Sequence, residues 1–142
     1  MLASDISDWL NENSVPAYKA HVLAAQANTA QLLQELGIGG TELADLYLHH
    51  GPQSVRGWYE LSELGEVPEL TRYAESELGV PPGYLALTGV EGQGITLYKR
   101  ATGQVFDVEF GQFEQLAGGE LQPVAQSFGE FLRWCRGRSH AA

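Results

Sequence analysis

The sequence predicts a small α+β protein in which helices come first, an antiparallel sheet follows and one helix closes the chain. Apolar residues recur at helical spacing through the first 50 residues, while residues 84 to 110 have the alternating pattern and Gly-rich turns of a strand meander. A second apolar stripe at helical spacing follows Pro123. Because 142 residues with 44% hydrophobic content are ordinary for one globular unit, we expect a single domain over residues 1 to 142.

The first third of the chain predicts three helices. Ser4 has the residue type of an N-cap for a first helix that ends before Pro16. Residues 17 to 36 are rich in Ala, Leu and Gln and predict one longer helix with a wide apolar face. After a Gly-rich break, Thr41 is expected to cap a third helix that stops at Gly51.

The middle of the chain changes pattern. The stretch VRGWYEL, residues 55 to 61, has the branched and aromatic content of a short strand. The stretch EVPELTRYAESELG, residues 66 to 79, predicts a helix that Gly79 ends. An antiparallel meander is then expected, with strands at residues 84 to 88, 94 to 98 and 104 to 110.

The closing helix is expected to begin at Pro123 and to end at Gly137. Phe128 and Leu132 lie one helical turn apart and Phe131 joins them, so this stripe is expected to be buried against the sheet. One face of the helix is predicted to carry Val124, Phe128, Leu132 and Cys135. The function of the helix is therefore expected to be structural.

Charge restricts the possible partners. The formal net charge is −10, from 18 acidic residues against 8 Lys and Arg, so the surface should repel nucleic-acid phosphates and anionic lipids and favour a basic protein partner. No segment approaches the roughly 20 apolar residues of a membrane span. The single Cys135 and an opening without a basic, apolar secretory signal predict a cytoplasmic protein.

Candidate catalytic and metal-binding residues are sparse. Neighbouring helical positions point His49 and His50 in different directions, and a metal site needs more ligands than Cys135 and the distant His21 obviously supply. Cys135 lies on the apolar face of the last helix, where a small buried thiol is common. Strand alternation places Asp107 and Glu109 on one face, with apolar Phe106, Val108 and Phe110 opposite, as in a solvated hairpin. We therefore expect no catalytic residue, no cofactor and no metal.

One glycine-rich stretch, GVEGQG at residues 89 to 94, could suggest a phosphate loop. No GKS or GKT follows it, and the next residues predict a strand rather than a helix whose N-terminus could hold phosphate. A β-turn is the interpretation we adopt.

The succession GYLALTGVEGQGITLYKRATGQVFDVEF, a short Gly-rich gap and then VAQSFGEFL resembles the C-terminal half of SUKH-superfamily domains. Upstream, LADLYLHHG resembles a helix of that pattern that ends in a polar residue and Gly, and WYELSEL resembles the strand and the helix start that follow it. The superfamily includes bacterial toxin-immunity proteins and fungal cell-wall-assembly regulators. The resemblance covers residues 37 to 136, which leaves residues 1 to 36 as N-terminal helices and residues 137 to 142 as a tail.

The resemblance implies a non-catalytic domain that binds a cognate, basic toxin and thereby neutralises it. An intracellular regulatory scaffold that binds an endogenous protein is the alternative, and an enzyme is a third class. Oligomeric state does not follow from the sequence.

A run of carboxylates supplies the candidate binding site. Such a run is commonly a solvated helix face, but clustered acid also speeds and orients association with a basic protein. Neighbouring Trp58 and Tyr59 could anchor such an interface or belong to the core. The candidate partner-binding residues are Trp58, Tyr59, Glu60, Glu63, Glu66, Glu69, Glu75 and Glu77.

Overall fold

A computed structural model describes residues 1–55, 60–90 and 94–141, with side chains described as far as residue 138. The α+β prediction is confirmed: the described residues form seven α-helices and a three-stranded antiparallel sheet. The helices are α1 (Ser4–Asn13), α2 (Pro16–Ala24), α3 (Gln26–Glu35), α4 (Glu42–His49), α5 (Val67–Glu77), α6 (Phe113–Ala117) and α7 (Phe128–Ala141). The strands are β1 (Tyr84–Ala86), β2 (Gly94–Lys99) and β3 (Val105–Glu109).

The strands follow the predicted meander, with β2 between β1 and β3. At one edge, the amide of Ala86 donates to Oγ1 of Thr71 on α5 at 3.0 Å. At the other edge, the amide of Val105 donates to the carbonyl of Ala125 at 3.0 Å. Both edge strands therefore use backbone groups to hold a neighbouring segment.

Both faces of the sheet are covered. Because side chains alternate along a strand, Leu85 of β1 and Tyr98 of β2 pack into a core with α1, α3, α4 and α7. Tyr84 and Leu97 belong to a second core with α5 and α6. The sheet thus lies between two helical layers, with α7 and α5 in opposite layers.

The predicted burial of α7 is confirmed. Phe128, Phe131 and Leu132 are each no more than 1% exposed. The Phe128 ring meets Tyr98 of β2 edge-on, with centroids 6.3 Å apart. Large apolar side chains therefore attach this helix to the sheet, as its stripe indicates.

The predicted bounds of α7 are wrong at both ends. Residues 124 and 125 pair with Val105 of β3, so the chain is still extended where Pro123 was expected to begin a helix. Ser127 caps the helix instead, because its Oγ accepts the amide of Glu130 at 3.1 Å. Gly137 does not end the helix, which continues to Ala141 through most of the expected tail.

The single helix expected over residues 17 to 36 is wrong as well, because the chain turns at Ala25 between α2 and α3. Both of these helices contact α4, which has only eight residues. A straight helix of 20 residues would be about 30 Å long and α4 about 12 Å, so the break lets both halves reach the same short helix.

Three local predictions have different outcomes. Ser4 is the first helical residue rather than the cap, since Ala3 occupies the N-cap position and its carbonyl accepts the first amides. Thr41 does cap α4, with Oγ1 accepting the amide of Ala44 at 3.1 Å. The strand expected at residues 55 to 61 is not seen at its described ends: Val55 ends a 3₁₀ helix, and residues 60 and 61 are not in a strand. Residues 56 to 59 lie outside the described part.

Candidate functional site

The segment that leads into α5 is attached to the core by backbone and tyrosine hydrogen bonds. The amide of Ser62 donates to the carbonyl of Leu87 at 2.7 Å. The hydroxyl of Tyr47 donates to the carbonyl of Ser62 at 2.9 Å. These bonds fix the chain direction immediately before α5.

A second tyrosine connects the N-terminal helices to the same segment. The hydroxyl of Tyr18 on α2 donates to Oε1 of Glu63 at 3.0 Å and accepts the amide of Gln53 at 3.4 Å. Burial, with a smaller contribution from the charge of Glu63, raises the pKa of Tyr18 to about 12. Gly51 makes room for this ring, since a Cβ there would lie 2.5 Å from the Tyr18 hydroxyl. Tyr18 therefore stays a hydrogen-bond donor at neutral pH.

Helix α5 has one apolar, buried side and one solvent-exposed side. Val67 and Ala74 are buried, and Leu70 and Leu78 are half-buried beside them. This stripe faces the sheet at a spacing of three to four residues. Most of the remaining residues of the helix are exposed to solvent.

All six glutamates of the predicted site are exposed, namely Glu60, Glu63, Glu66, Glu69, Glu75 and Glu77. Glu63 is held by Tyr18. The carboxylates of Glu69, Glu75 and Glu77 form no hydrogen bond or ion pair with any described residue. Trp58 and Tyr59, which complete the predicted site, lie outside the described residues.

One aromatic side chain on this surface was not predicted. Tyr73 is 47% exposed, and a spacing of three and four residues puts it on one side of α5 with Glu66, Glu69 and Glu77. Glu75 falls on another flank, near Arg72. We call Glu66, Glu69, Tyr73 and Glu77 the α5 docking face. The signal was available in the sequence, as an aromatic residue with acids four positions before and after it.

The two histidines at the end of α4 have different environments. His49 is exposed, with Nε2 3.4 Å from Oδ1 of Asp45. His50 is 4% exposed, and its Nδ1 has no hydrogen-bond partner among the described residues. Burial, helped by the charge of Lys19, lowers the pKa of His50 to about 4. Within the described residues, no three His, Cys, Asp or Glu side chains are arranged to hold a metal ion.

The remaining candidates for a reactive or ligand-binding role are a thiol, a pair of carboxylates and a glycine-rich turn. Cys135 is fully buried, and burial raises the pKa of its thiol to about 12, so almost no thiolate forms at neutral pH. Phe106 and Val108 are buried on the face of β3 opposite Asp107 and Glu109, as predicted. The prediction is wrong for Phe110, which lies beyond the end of β3 and is 49% exposed, and Asp107 is half-buried rather than fully solvated. In the stretch GVEGQG, residues 91 to 93 lie outside the described part.

Comparisons with models of protein families, with curated proteins and with solved structures found no match to this chain. Among the described residues, the helices are all too short or too polar to span a bilayer.

Proposed function

We propose that this protein is a non-catalytic, cytoplasmic binding domain that neutralises a cognate toxin by covering a basic surface of that toxin. The observation that carries the proposal is the α5 docking face, in which an exposed Tyr73 lies among exposed carboxylates on a helix fixed to the core. The sequence resemblance to SUKH-superfamily domains supports the immunity role.

The docking face has the two properties that a recognition surface needs. Exposed carboxylates accelerate encounter with a basic protein, since attraction acts before contact and at distances up to about 8–10 Å at physiological salt. A tyrosine supplies a large, stiff contact area that is enriched among the energetically important residues of interfaces. The first property controls the association rate and the second controls the dissociation rate.

The test begins with affinity capture of the partner from native cells and continues with surface-binding kinetics on the recovered partner. The double variant Glu66→Lys/Glu69→Lys should associate more slowly, and added salt should slow it less than it slows the wild type. Tyr73→Ala should instead raise the dissociation rate. Glu12→Lys/Glu35→Lys is the matched control, because it makes the same charge change at exposed positions on α1 and α3.

The proposal fails if the folded Glu66→Lys/Glu69→Lys variant keeps the association rate and salt dependence of the wild type. An equal slowing by the control pair would show that only net charge matters. Immunity also requires that the complex lose the toxic activity of the partner, whereas binding without inhibition would favour the regulatory scaffold.

A further inference from the structure

A basic cleft lies just after the C-terminal end of α3, beside the start of β1 and the end of β2. Its volume is about 430 Å³. It is lined by Gly37, Pro82, Gly83, Tyr84, Lys99, Arg100 and Ala101. Two of the eight Lys and Arg of a strongly acidic chain are therefore adjacent in one cavity wall.

The fold holds both cations in place. Lys99 ends β2 opposite Tyr84, and its Nζ lies 6.0 Å from the centroid of that ring. The backbone amide of Arg100 donates to the carbonyl of Gly83 at 3.0 Å. One guanidinium nitrogen, Nη1, donates to the carbonyl of Leu36 at 3.2 Å. Arg100 is thus anchored through one nitrogen and keeps further donors.

No carboxylate neutralises this pair in the part of the chain that the structure describes. The lining residues include no acid. Neither Lys99 nor Arg100 forms an ion pair with a described Asp or Glu, whereas Arg133 and Arg136 both pair with Asp5. Two unpaired cationic residues that line one cleft favour the approach of anions to it.

The backbone of the cleft also fits an anion. The amide of Ala101 donates to no described residue. Gly37 and Gly83 adopt φ values of +74° and +102°, and a Cβ at either would meet no atom within 4 Å, so the wall is open there. Lys99, Arg100 and Ala101 all line the cleft, and an ammonium, a guanidinium and a backbone amide are the donors that bind carboxylate and phosphate oxygens most strongly.

We propose that this cleft binds a small organic anion through its carboxylate or phosphate oxygens, with Lys99, Arg100 and the Ala101 amide as the contacts. The volume is that of a metabolite-sized ligand rather than a macromolecule. None of these contacts belongs to the α5 docking face.

Amide NMR of the ¹⁵N-labelled protein tests the site, with inorganic phosphate and succinate as probes at constant ionic strength and pH 7. We expect saturable shifts of the amides of Gly83, Arg100 and Ala101, with a Kd below about 10 mM. Lys99→Gln should weaken binding about tenfold. Arg72→Gln, which removes one exposed charge from α5, should leave binding unchanged.

The two probes separate the ligand classes, since binding of phosphate alone indicates a phosphorylated ligand and binding of succinate a carboxylic acid. Failure of both probes to give saturable shifts in the wild-type protein overturns the proposal. Equal weakening by Lys99→Gln and Arg72→Gln also overturns it, because general charge screening would then explain the shifts. The wild-type titration decides the question even if a variant is unstable.

Discussion

Helices α5 and α7 cover opposite faces of the same sheet, but they bury very different side chains. On α7, two phenylalanines and a leucine are almost completely inaccessible. On α5, the fully buried positions are Val67 and Ala74, while Tyr73 is 47% exposed and four glutamates at or next to the helix point to solvent. The residues of α7 are fixed by packing, whereas much of the surface of α5 has no part in packing.

The difference shows where to look for a binding surface on this protein. A large aromatic residue in a core lowers the free energy of the folded state wherever the protein acts. An aromatic residue left half in water contributes less to folding, and a tyrosine in such a position can instead supply contact area to a partner. This contrast directs attention to α5 rather than α7, and mutations can test it.

The largest effect is expected from truncating the core of α7. Phe128→Ala should reduce the free energy of unfolding by roughly 3–5 kcal/mol, because it removes buried area and leaves a cavity. Tyr73→Ala on α5 is the matched control and should cost less than about 1 kcal/mol. Urea denaturation of both variants measures the contrast. Similar losses in the two variants would show that α5 is packed as tightly as α7.

A smaller effect is expected from acid, through His50 at the end of α4. Its pKa is about 4 in the folded protein and about 6.5 when unfolded, so only the unfolded chain gains a proton between these values. The free energy of unfolding should therefore fall by roughly 1–3 kcal/mol as the pH decreases from 6.5 to 4, and His50 should add no further loss below that.

Because carboxylates titrate in the same range, the measurement is the difference between the wild type and His50→Leu in urea denaturation at pH 7 and pH 5. The variant should lose less stability between the two pH values. His49→Gln removes the exposed neighbouring imidazole and should keep the wild-type loss. If His50→Leu shows the full loss, His50 is not the buried neutral group described above.

The smallest effect is expected from the hydroxyl that holds the segment before α5. Tyr18→Phe should cost roughly 0.5–1.5 kcal/mol, since Glu63 and the amide of Gln53 lose a partner. Hydrogen exchange of the amides from residue 62 to residue 66 should become faster. Tyr73→Phe is the control and should leave exchange unchanged, because the Tyr73 hydroxyl bonds to no described residue. Unchanged exchange in Tyr18→Phe would mean that this bond does not fix the segment.

Features that depend only on residues close together in the sequence were predicted from local sequence patterns. The stripe of α7 and the cap at Thr41 are both formed within one or two helical turns, so their patterns are visible in the chain itself. The true start of α7 also had a local signal, since SFGE at residues 127 to 130 matches the capping-box pattern. It was obscured by Pro123, a residue that commonly begins helices.

The features that could not be predicted depend on residues far apart in sequence. Residues 124 and 125 are extended because Val105 pairs with them, and the chain turns at Ala25 because α2 and α3 both contact α4. The basic cleft unites residues 37, 83 and 99 through the fold alone. On the α5 docking face, the acids were identified from charge density. The acids four positions before and after Tyr73 were a sequence signal for that residue too, but this spacing alone does not show which side of the helix faces the sheet.

The buried thiol of Cys135 is a native probe of local opening in this protein. It is the one cysteine of the chain, it lies on the buried face of α7, and its raised pKa leaves almost no thiolate in the closed state. A thiol-specific reagent can therefore modify the native protein only after α7 has moved away. When opening and closing are fast relative to modification, the rate of labelling gives the fraction of molecules in which that helix is open. The chain thus allows the local opening of its closing helix to be measured separately from global unfolding, without an introduced probe.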